Sequence, residues 1–202
     1  MSIFQNTCKP EGLFGKLMVN SMNMGHSAMA KWGFAHLKVK EADRCLDIGC
    51  GGGANIKRLL KMAPKGIVKG VDYSEVSVEK SKQLNLKAVQ EGRCTILKGN
   101  AMDLIFAKGF FDVVTAFETI YFWPNIQTGF QEAFNVLKDG GSFLICNEAD
   151  GLNPKDEQWV EKIDGMRIYT EQEICTALEG VGFHDIAVDH NEKHWICILA
   201  KK

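Results

Sequence analysis

A short apolar run that leads directly into a cluster of glycines is the feature that most constrains this chain. The run covers Arg44–Ile48, and glycine occupies four of the five positions in the stretch that follows, Gly49–Gly53. Glycine has no Cβ atom, so the backbone can turn sharply from a strand into a helix and a ligand can approach it closely. The pattern therefore predicts a strand, a tight turn and a helix, with a ligand bound at the turn.

Strand-like apolar runs alternate with helix-like segments from about residue 44 onward. The predicted strands are Arg44–Ile48, Ile67–Asp72, Cys94–Lys98, Phe111–Ala116 and Ser142–Asn147. This alternation is typical of a parallel sheet with helices on both faces. Two later runs, at 184–188 and 194–199, flank a polar turn and predict an antiparallel hairpin. We therefore expect an α/β fold: a Rossmann-like, doubly wound, mostly parallel seven-stranded sheet that ends in this hairpin.

Two helices are predicted with definite boundaries. Residues Ile126–Leu137 carry apolar side chains at helical spacing and run into two glycines, Gly140 and Gly141. Residues Thr170–Glu173 match a capping box, which satisfies free backbone N–H groups at the start of a helix. This second helix should extend to about Gly180 or Gly182. Both helices are expected to pack on the sheet.

The N-terminal residues 1–40 differ from the remainder, 41–202, which we interpret as a Rossmann-like domain. They lack a strand pattern, and their large apolar residues recur at helical spacing, namely Phe14, Leu17, Met18 and Met22, then Met29, Trp32 and His36. This spacing predicts two short helices laid against the main domain. They can serve as a static cover for the core or as a mobile lid over a ligand, and the sequence leaves both possibilities open.

Composition excludes several classes of partner. Lysine and arginine total 24 against 25 aspartate and glutamate, so no surplus of positive charge exists to neutralise a nucleic acid. We expect no membrane partner and a cytoplasmic location, because a secretory signal and a long apolar segment are both absent. The seven cysteines include no C-x-x-C pair, and His190 and His194 lie in a predicted turn and strand. We therefore expect no metal site.

The glycine turn alone does not identify its ligand. Gly49, Gly51 and Ala54 also match the loose G-x-G-x-x-A pattern of dinucleotide sites. However, Asp47 would place a negative charge close to a pyrophosphate, whereas it would stabilise a ligand with a cationic, amino-acid-like group. Asp72 ends the second strand and can accept hydrogen bonds from both hydroxyls of a ribose. After the third strand, the segment Gly99–Asp103 supplies an amide and a methionine that can contact an adenine.

With these features in order, the chain resembles the class I S-adenosylmethionine-dependent methyltransferases. The motifs that carry the resemblance are Leu46–Gly53, Val71–Ser74, Gly99–Ala101, Phe111–Val114 and Leu137–Gly141. The match covers roughly residues 41 to 149 and extends more weakly through the hairpin. Two departures stand out: Asn100 replaces a common aspartate, and the loop at 104–106 lacks the family's usual proline.

The resemblance implies S-adenosyl-L-methionine as cofactor and S-adenosyl-L-homocysteine as product. Its implied binding residues are Asp47 and Gly49 near the methionyl amino group, Cys50 and Gly51 in the turn, Asp72 on the ribose, Tyr73 and Met102 on the faces of adenine, and Asn100 and Ala101 on its edge. The alternatives are structural, since Asp47 and Asp72 can also act as capping residues at strand ends. A further hypothesis makes Cys50 a nucleophile, if a helix N-terminus lowers the pKa of its thiol.

The segment after the fourth strand is where acceptor sites of the family commonly begin. There, Glu118 is a candidate general base, although it can equally contact the cofactor or cap a neighbouring element. Tyr121 and Trp123 are candidate walls for an acceptor, or simple packing residues. His26, in the predicted lid, is a second candidate base, with a surface or capping role as its alternative.

We therefore expect a methyltransferase that acts on a small-molecule acceptor, which the sequence does not identify. Two other functions remain open: a non-catalytic protein that binds S-adenosylmethionine, and a nicotinamide-dependent oxidoreductase. The sequence also leaves open the oligomeric state and the use of a general base.

Overall fold

Residues 26–202 fold into one seven-stranded sheet with helices on both faces. The computed structural model describes residues 26–202. The strands are β1 (Arg44–Ile48), β2 (Ile67–Asp72), β3 (Cys94–Lys98), β4 (Phe111–Phe117), β5 (Leu137–Asn147), β6 (His184–His190) and β7 (Ile196–Lys201). The α-helices are α1 (Ser27–Ala35), α2 (Ala54–Met62), α3 (Glu75–Leu84), α4 (Leu86–Gln90), α5 (Ile126–Val136), α6 (Glu157–Lys162) and α7 (Glu171–Val181).

The strand order in the sheet is β3-β2-β1-β4-β5-β7-β6. Strands β1 to β5 pair in parallel, whereas β7 is antiparallel to both β5 and β6. This arrangement confirms the predicted fold class. The order reverses between β1 and β4, and in open α/β sheets ligands bind at such a switch point, beyond the carboxyl ends of the strands.

Most predicted boundaries agree with the structure, and the differences have local causes. Strand β5 begins at Leu137 rather than Ser142, because Leu137 already pairs with Phe111 before an irregularity in the register. Strand β7 begins two residues later than predicted. The Asn191 side chain accepts hydrogen bonds from the N–H groups of Lys193 and Trp195, which keeps these residues in the hairpin turn.

The helix α7 begins with the predicted capping box. The Glu173 N–H donates to Thr170 Oγ1 and the Thr170 N–H donates to Glu173 Oε2. The helix ends at Gly182, whose φ of +112° lies in the left-handed region that favours glycine. No helix within residues 26–202 has the length and apolar character to cross a bilayer.

Helix α1 covers one face of the sheet near the ends of β4 and β5. Its Met29 is fully buried, and the rings of Phe34 and Phe117 lie 4.7 Å apart. Gly33 permits this close packing, because a Cβ atom there would lie 2.7 Å from Cys146 Sγ. The second predicted N-terminal helix thus exists. The first, built on residues 14–22, lies outside the described residues, and the role of residues 1–40 as a lid stays a prediction.

Candidate active site

Backbone N–H groups of the glycine turn form hydrogen bonds to the end of β2. The N–H groups of Gly49 and Cys50 both donate to the carbonyl of Val71, at 2.8 and 3.1 Å. The Gly51 N–H donates to Asp72 Oδ2 at 2.8 Å. These three bonds hold the turn at the point where β1 leads into α2.

Two glycines in this turn are required for different reasons. A Cβ atom on Gly49 would lie 2.1 Å from Thr119 Oγ1, so the loop after β4 packs directly against the turn. Gly51 has a φ of +51°, and a Cβ atom there would meet no atom of residues 26–202 within 4 Å. The space beside Gly51 is therefore open for a ligand that contacts backbone.

Asp72, the residue predicted to bind ribose, lies at the end of β2 and is 8% exposed. Burial raises the pKa of its carboxyl, although hydrogen bonds from the Ser74 and Gly51 N–H groups oppose the shift. Next to it, the Tyr73 side chain is 39% exposed. Their contacts with ribose and adenine stay predictions.

The predicted adenine-edge residues follow β3. Asn100 is exposed, and its Oδ1 accepts a hydrogen bond from the Met102 N–H at 3.0 Å. This local turn orders Asn100, Ala101 and Met102 relative to one another. Ala101 and Met102 are half-buried and pack against the core that includes Trp123. Their proposed contacts with adenine are not tested by this arrangement.

Asp47 and Cys50 are both buried beneath the turn. Asp47 is 1% exposed, and burial raises the pKa of its carboxyl to about 7, although the Thr115 hydroxyl donates to Oδ1 at 2.6 Å. Burial also raises the pKa of the Cys50 thiol well above its usual range. The nearby carboxylates of Asp72 and Asp47 act in the same direction, so this environment disfavours the thiolate that a nucleophilic Cys50 would require. Backbone contact of Cys50 with the cofactor, and that of Asp47 with its amino group, stay predictions.

Glu118 lies directly after β4 in a strained conformation. Its φ is +54°, which is uncommon for a residue other than glycine and is often found at functional sites. The backbone is held by a hydrogen bond from the Glu118 N–H to the Cys146 carbonyl, at 3.0 Å. Glu118 Oε1 accepts hydrogen bonds from the Tyr121 hydroxyl and from the Glu148 N–H. Burial raises the pKa of Glu118 to about 7, and the nearby His26 opposes this shift.

His26 meets two carboxylates at the ends of β4 and β5. Its Nδ1 lies 3.2 Å from Glu148 Oε1 and 3.8 Å from Glu118 Oε2. Burial alone would lower the pKa of His26, but the two carboxylates outweigh burial and raise it. The structure therefore brings together both candidate bases, Glu118 and His26. Their role in catalysis stays a prediction.

Tyr121 and Trp123, the predicted acceptor walls, are both buried. The Tyr121 hydroxyl accepts a hydrogen bond from the Ala149 N–H at 2.9 Å, so it links the loop after β4 to the loop after β5. The Trp123 indole N–H donates to Thr119 Oγ1 at 3.2 Å, and its ring packs edge-on against Phe130. Packing accounts for both positions, and their contact with an acceptor stays a prediction.

Sequence reasoning did not single out Glu148 or Thr119. Glu148 follows β5 at once, and a polar residue at the carboxyl end of a parallel strand is a usable signal. Thr119 offers no such signal, because its contact with Gly49 depends on strand order.

The ligand atoms of His26, Glu118 and Glu148 lie within 4.8 Å of one another, which is compact enough for a divalent cation. The expected absence of a metal is therefore untested.

Comparisons with known proteins agree with this geometry. A family profile described as a methyltransferase domain matches residues 46–145. The sterol 24-C-methyltransferase of Yarrowia lipolytica is 30% identical over 171 residues, which cover 78% of this chain and 45% of that protein. A 24-methylenesterol C-methyltransferase of Oryza sativa is 31% identical over 156 residues, 73% of this chain and 43% of that protein. The chain thus spans about half the length of the curated relatives it matches.

Solved structures share the fold at lower identity. A chain of the complex that contains the Haloferax volcanii Trm112 methyltransferase activator has a TM-score of 0.84 and 21% identity, over 92% of this chain and 93% of that chain. A SAM-dependent methyltransferase from Aquifex aeolicus has a TM-score of 0.76 and 19% identity, over 92% of this chain and 97% of that chain. The profile match favours a methyltransferase over the nicotinamide-dependent alternative. Residues 46–145 belong to the class I S-adenosylmethionine-dependent methyltransferase family.

Proposed function

We propose that this protein transfers the methyl group of S-adenosylmethionine to a small-molecule acceptor. The cofactor lies across the ends of β1, β2 and β3, where Asp72 binds the ribose and Gly51 contacts the cofactor through its backbone. The acceptor lies at the ends of β4 and β5. One observation carries the proposal: the contact of Thr119 with Gly49 places Glu118, the preceding residue, beside the cofactor turn.

The chemistry requires little more than positioning. A methyl group on a sulfonium is already activated, so the protein has to align a nucleophile with it and exclude water. Glu118 is the general base that accepts the acceptor's proton through Oε2, the oxygen that faces His26. Its Oε1 is held by Tyr121 and Glu148, which fixes the orientation of the carboxylate. A base with a pKa near 7 suits proton transfer at neutral pH.

A small acceptor is supported by the relatives and by charge. The two relatives described above are named for sterols, which are small molecules. The formal net charge of −1 offers no attraction for nucleic acid. We further propose that residues 1–40 cover the acceptor, since His26, just before α1, reaches Glu118 and Glu148. A cytoplasmic location belongs to the same proposal.

Methyl transfer can be tested with labelled cofactor. Calorimetry should show binding of S-adenosylhomocysteine and no binding of NADH. The protein is then incubated with tritiated S-adenosylmethionine and a cell extract separated into low-molecular-mass and macromolecular fractions. Label should enter the low-molecular-mass fraction and should be lost in the Glu118→Gln variant but not in Glu179→Gln, an exposed control. Label confined to macromolecules, or cofactor binding without any transfer, would disprove the proposal.

A further inference from the structure

Two carboxylates converge at the acceptor end of the sheet without a permanently charged partner. Glu118 and Glu148 form ion pairs with His26 alone among residues 26–202. Even when His26 is protonated, the three side chains carry one net negative charge once both carboxylates are ionised. These side chains are 17% to 35% exposed, and a partly buried charge without a counter-charge is unfavourable, so the cluster is suited to a cationic ligand.

The two oxygens of Glu118 differ in their hydrogen bonds. Oε1 already receives two donors, whereas Oε2 lies 3.8 Å from His26 Nδ1, beyond hydrogen-bond distance. The Nδ1 atom of His26 is shielded from water and lies 3.2 Å from Glu148 without a directed hydrogen bond. A ligand that brings N–H donors can supply the hydrogen bonds that these carboxylate oxygens lack.

The cluster also lies next to the methyl donor's turn. Thr119, adjacent to Glu118, is the residue that a Cβ on Gly49 would strike. The Glu148 N–H donates a hydrogen bond to Glu118 Oε1, which joins the ends of β4 and β5 at this point. A group bound by these carboxylates would therefore be within reach of the reacting methyl group.

We propose that the methyl acceptor is a basic amine, bound as an ammonium ion by Glu118 and Glu148 and methylated on that nitrogen. This inference rests on the proposed function. Other acceptor classes fit the cluster less well. An anionic acceptor would be repelled by the carboxylates, and a neutral acceptor would bring no positive charge to balance them.

The steps balance in charge and atoms. Glu118 Oε2 takes a proton from the ammonium group, and the freed nitrogen lone pair attacks the methyl carbon. The carbon–sulfur bond breaks with its electron pair on sulfur, which gives neutral S-adenosylhomocysteine. The product is a methylated ammonium ion, whose positive charge Glu148 stabilises, and Glu118 later releases its proton to water. Glu118, with a pKa of about 7, can perform both transfers near neutral pH.

Matched ligands provide the test. The 202-residue chain is saturated with S-adenosylhomocysteine in buffer containing EDTA, about one pH unit above the pKa of Glu118, where its carboxylate is ionised. Calorimetry then compares phenethylamine with 2-phenylethanol and phenylacetate, and tryptamine with tryptophol and indole-3-acetate. In at least one series the amine should bind about ten-fold more tightly than its alcohol and its acid, as expected for a charge-assisted hydrogen bond.

The variant Glu148→Gln should remove this preference by weakening amine binding about ten-fold while alcohol binding changes little. The exposed control Glu179→Gln should retain it. Mass spectrometry of reactions with S-adenosylmethionine should show the added methyl group on nitrogen. Preference for the alcohol or acid, or no amine binding in either series, would overturn the proposal. So would tight Mn²⁺ binding in EDTA-free buffer that Glu148→Gln abolishes, since the cluster would then be a metal site.

Failure of this inference is distinguishable from failure of the proposed function. If S-adenosylhomocysteine binds and label enters a non-basic small molecule, only the proposal of an amine acceptor is refuted. If S-adenosylhomocysteine does not bind, the proposed function itself fails.

Discussion

The Gly51 N–H donates a hydrogen bond to Asp72 Oδ2 at 2.8 Å, which joins the glycine turn to the end of the neighbouring strand. The other oxygen of Asp72 accepts from the Ser74 N–H at 2.9 Å, at the start of α3. A carboxylate has about four lone-pair positions, so both oxygens can still accept a ribose hydroxyl. One side chain therefore can organise the turn and bind the cofactor.

Replacement of Asp72 by alanine should weaken binding of S-adenosylhomocysteine several-fold or more. The substitution removes the predicted bonds to ribose and also releases the Gly51 N–H, and each lost hydrogen bond to a charged group costs about 1.5–3 kcal/mol. Isothermal titration calorimetry measures the effect, with circular dichroism as the control for folding. An affinity equal to that of the unmodified protein would refute the assignment of Asp72.

The two glycines of the turn should respond differently to alanine. Gly49→Ala should destabilise the fold by a few kcal/mol, because the new Cβ would collide with Thr119. Gly51→Ala should cost only about 1 kcal/mol of backbone strain, because its Cβ would point into open space. That same Cβ should weaken cofactor binding, since it occupies the space predicted for the ligand.

Urea denaturation and calorimetry separate these two effects. Comparable stability losses in both variants would contradict the close contact between Gly49 and Thr119. Full cofactor affinity in Gly51→Ala would show that the ligand does not approach that backbone.

Activity should depend on the ionisation of Glu118. Burial raises the pKa of this carboxyl to about 7, so the fraction of ionised base, and with it kcat/KM, should fall as pH drops below about 7. Glu118→Gln keeps an oxygen for Tyr121 and Glu148 but cannot take a proton. Its rate should fall about a hundred-fold or more, which is typical for loss of a general base, and this dependence on pH should disappear. Transfer of labelled methyl groups across pH provides the measurement, and an unchanged profile would exclude Glu118 as the base.

Asp47 should make the unmodified protein less stable as pH rises. Its folded pKa, about 7, exceeds the ordinary value of 3.8, so the folded state binds the proton more tightly than the unfolded state. The resulting stabilisation is complete below about pH 4 and is lost as pH rises through 7. The Asp47→Asn variant lacks this pH dependence. Its free energy of unfolding, relative to that of the unmodified protein, should therefore rise by on the order of 3 kcal/mol between about pH 4 and pH 8.

Urea unfolding of both proteins at several pH values gives this difference directly. Glu118 contributes a dependence of the same sign, but it is present in both proteins and cancels. A constant difference in unfolding free energy across pH would show that Asp47 is not buried as a neutral acid.

Local patterns in the sequence were sufficient for most of the fold. Strand β1 has the predicted bounds because its apolar run is interrupted by glycines, and α7 begins at Thr170 because the capping box is a short-range device. The predicted start of β5 was wrong, because the pairing of Leu137 with Phe111 joins residues that lie far apart in the sequence.

The sequence by itself determined the glycine turn, the order of the motifs and the class of the fold, because these depend on residues that are neighbours along the chain. Only the tertiary structure decided which distant residues meet at the acceptor end. The parallel pairing of β4 with β5 brings Glu118 to Glu148, and the packing of α1 on the same face brings His26 to both. Burial, which the sequence does not reveal, then raises the pKa values of Glu118 and Asp47 and makes their charge sensitive to pH near neutrality.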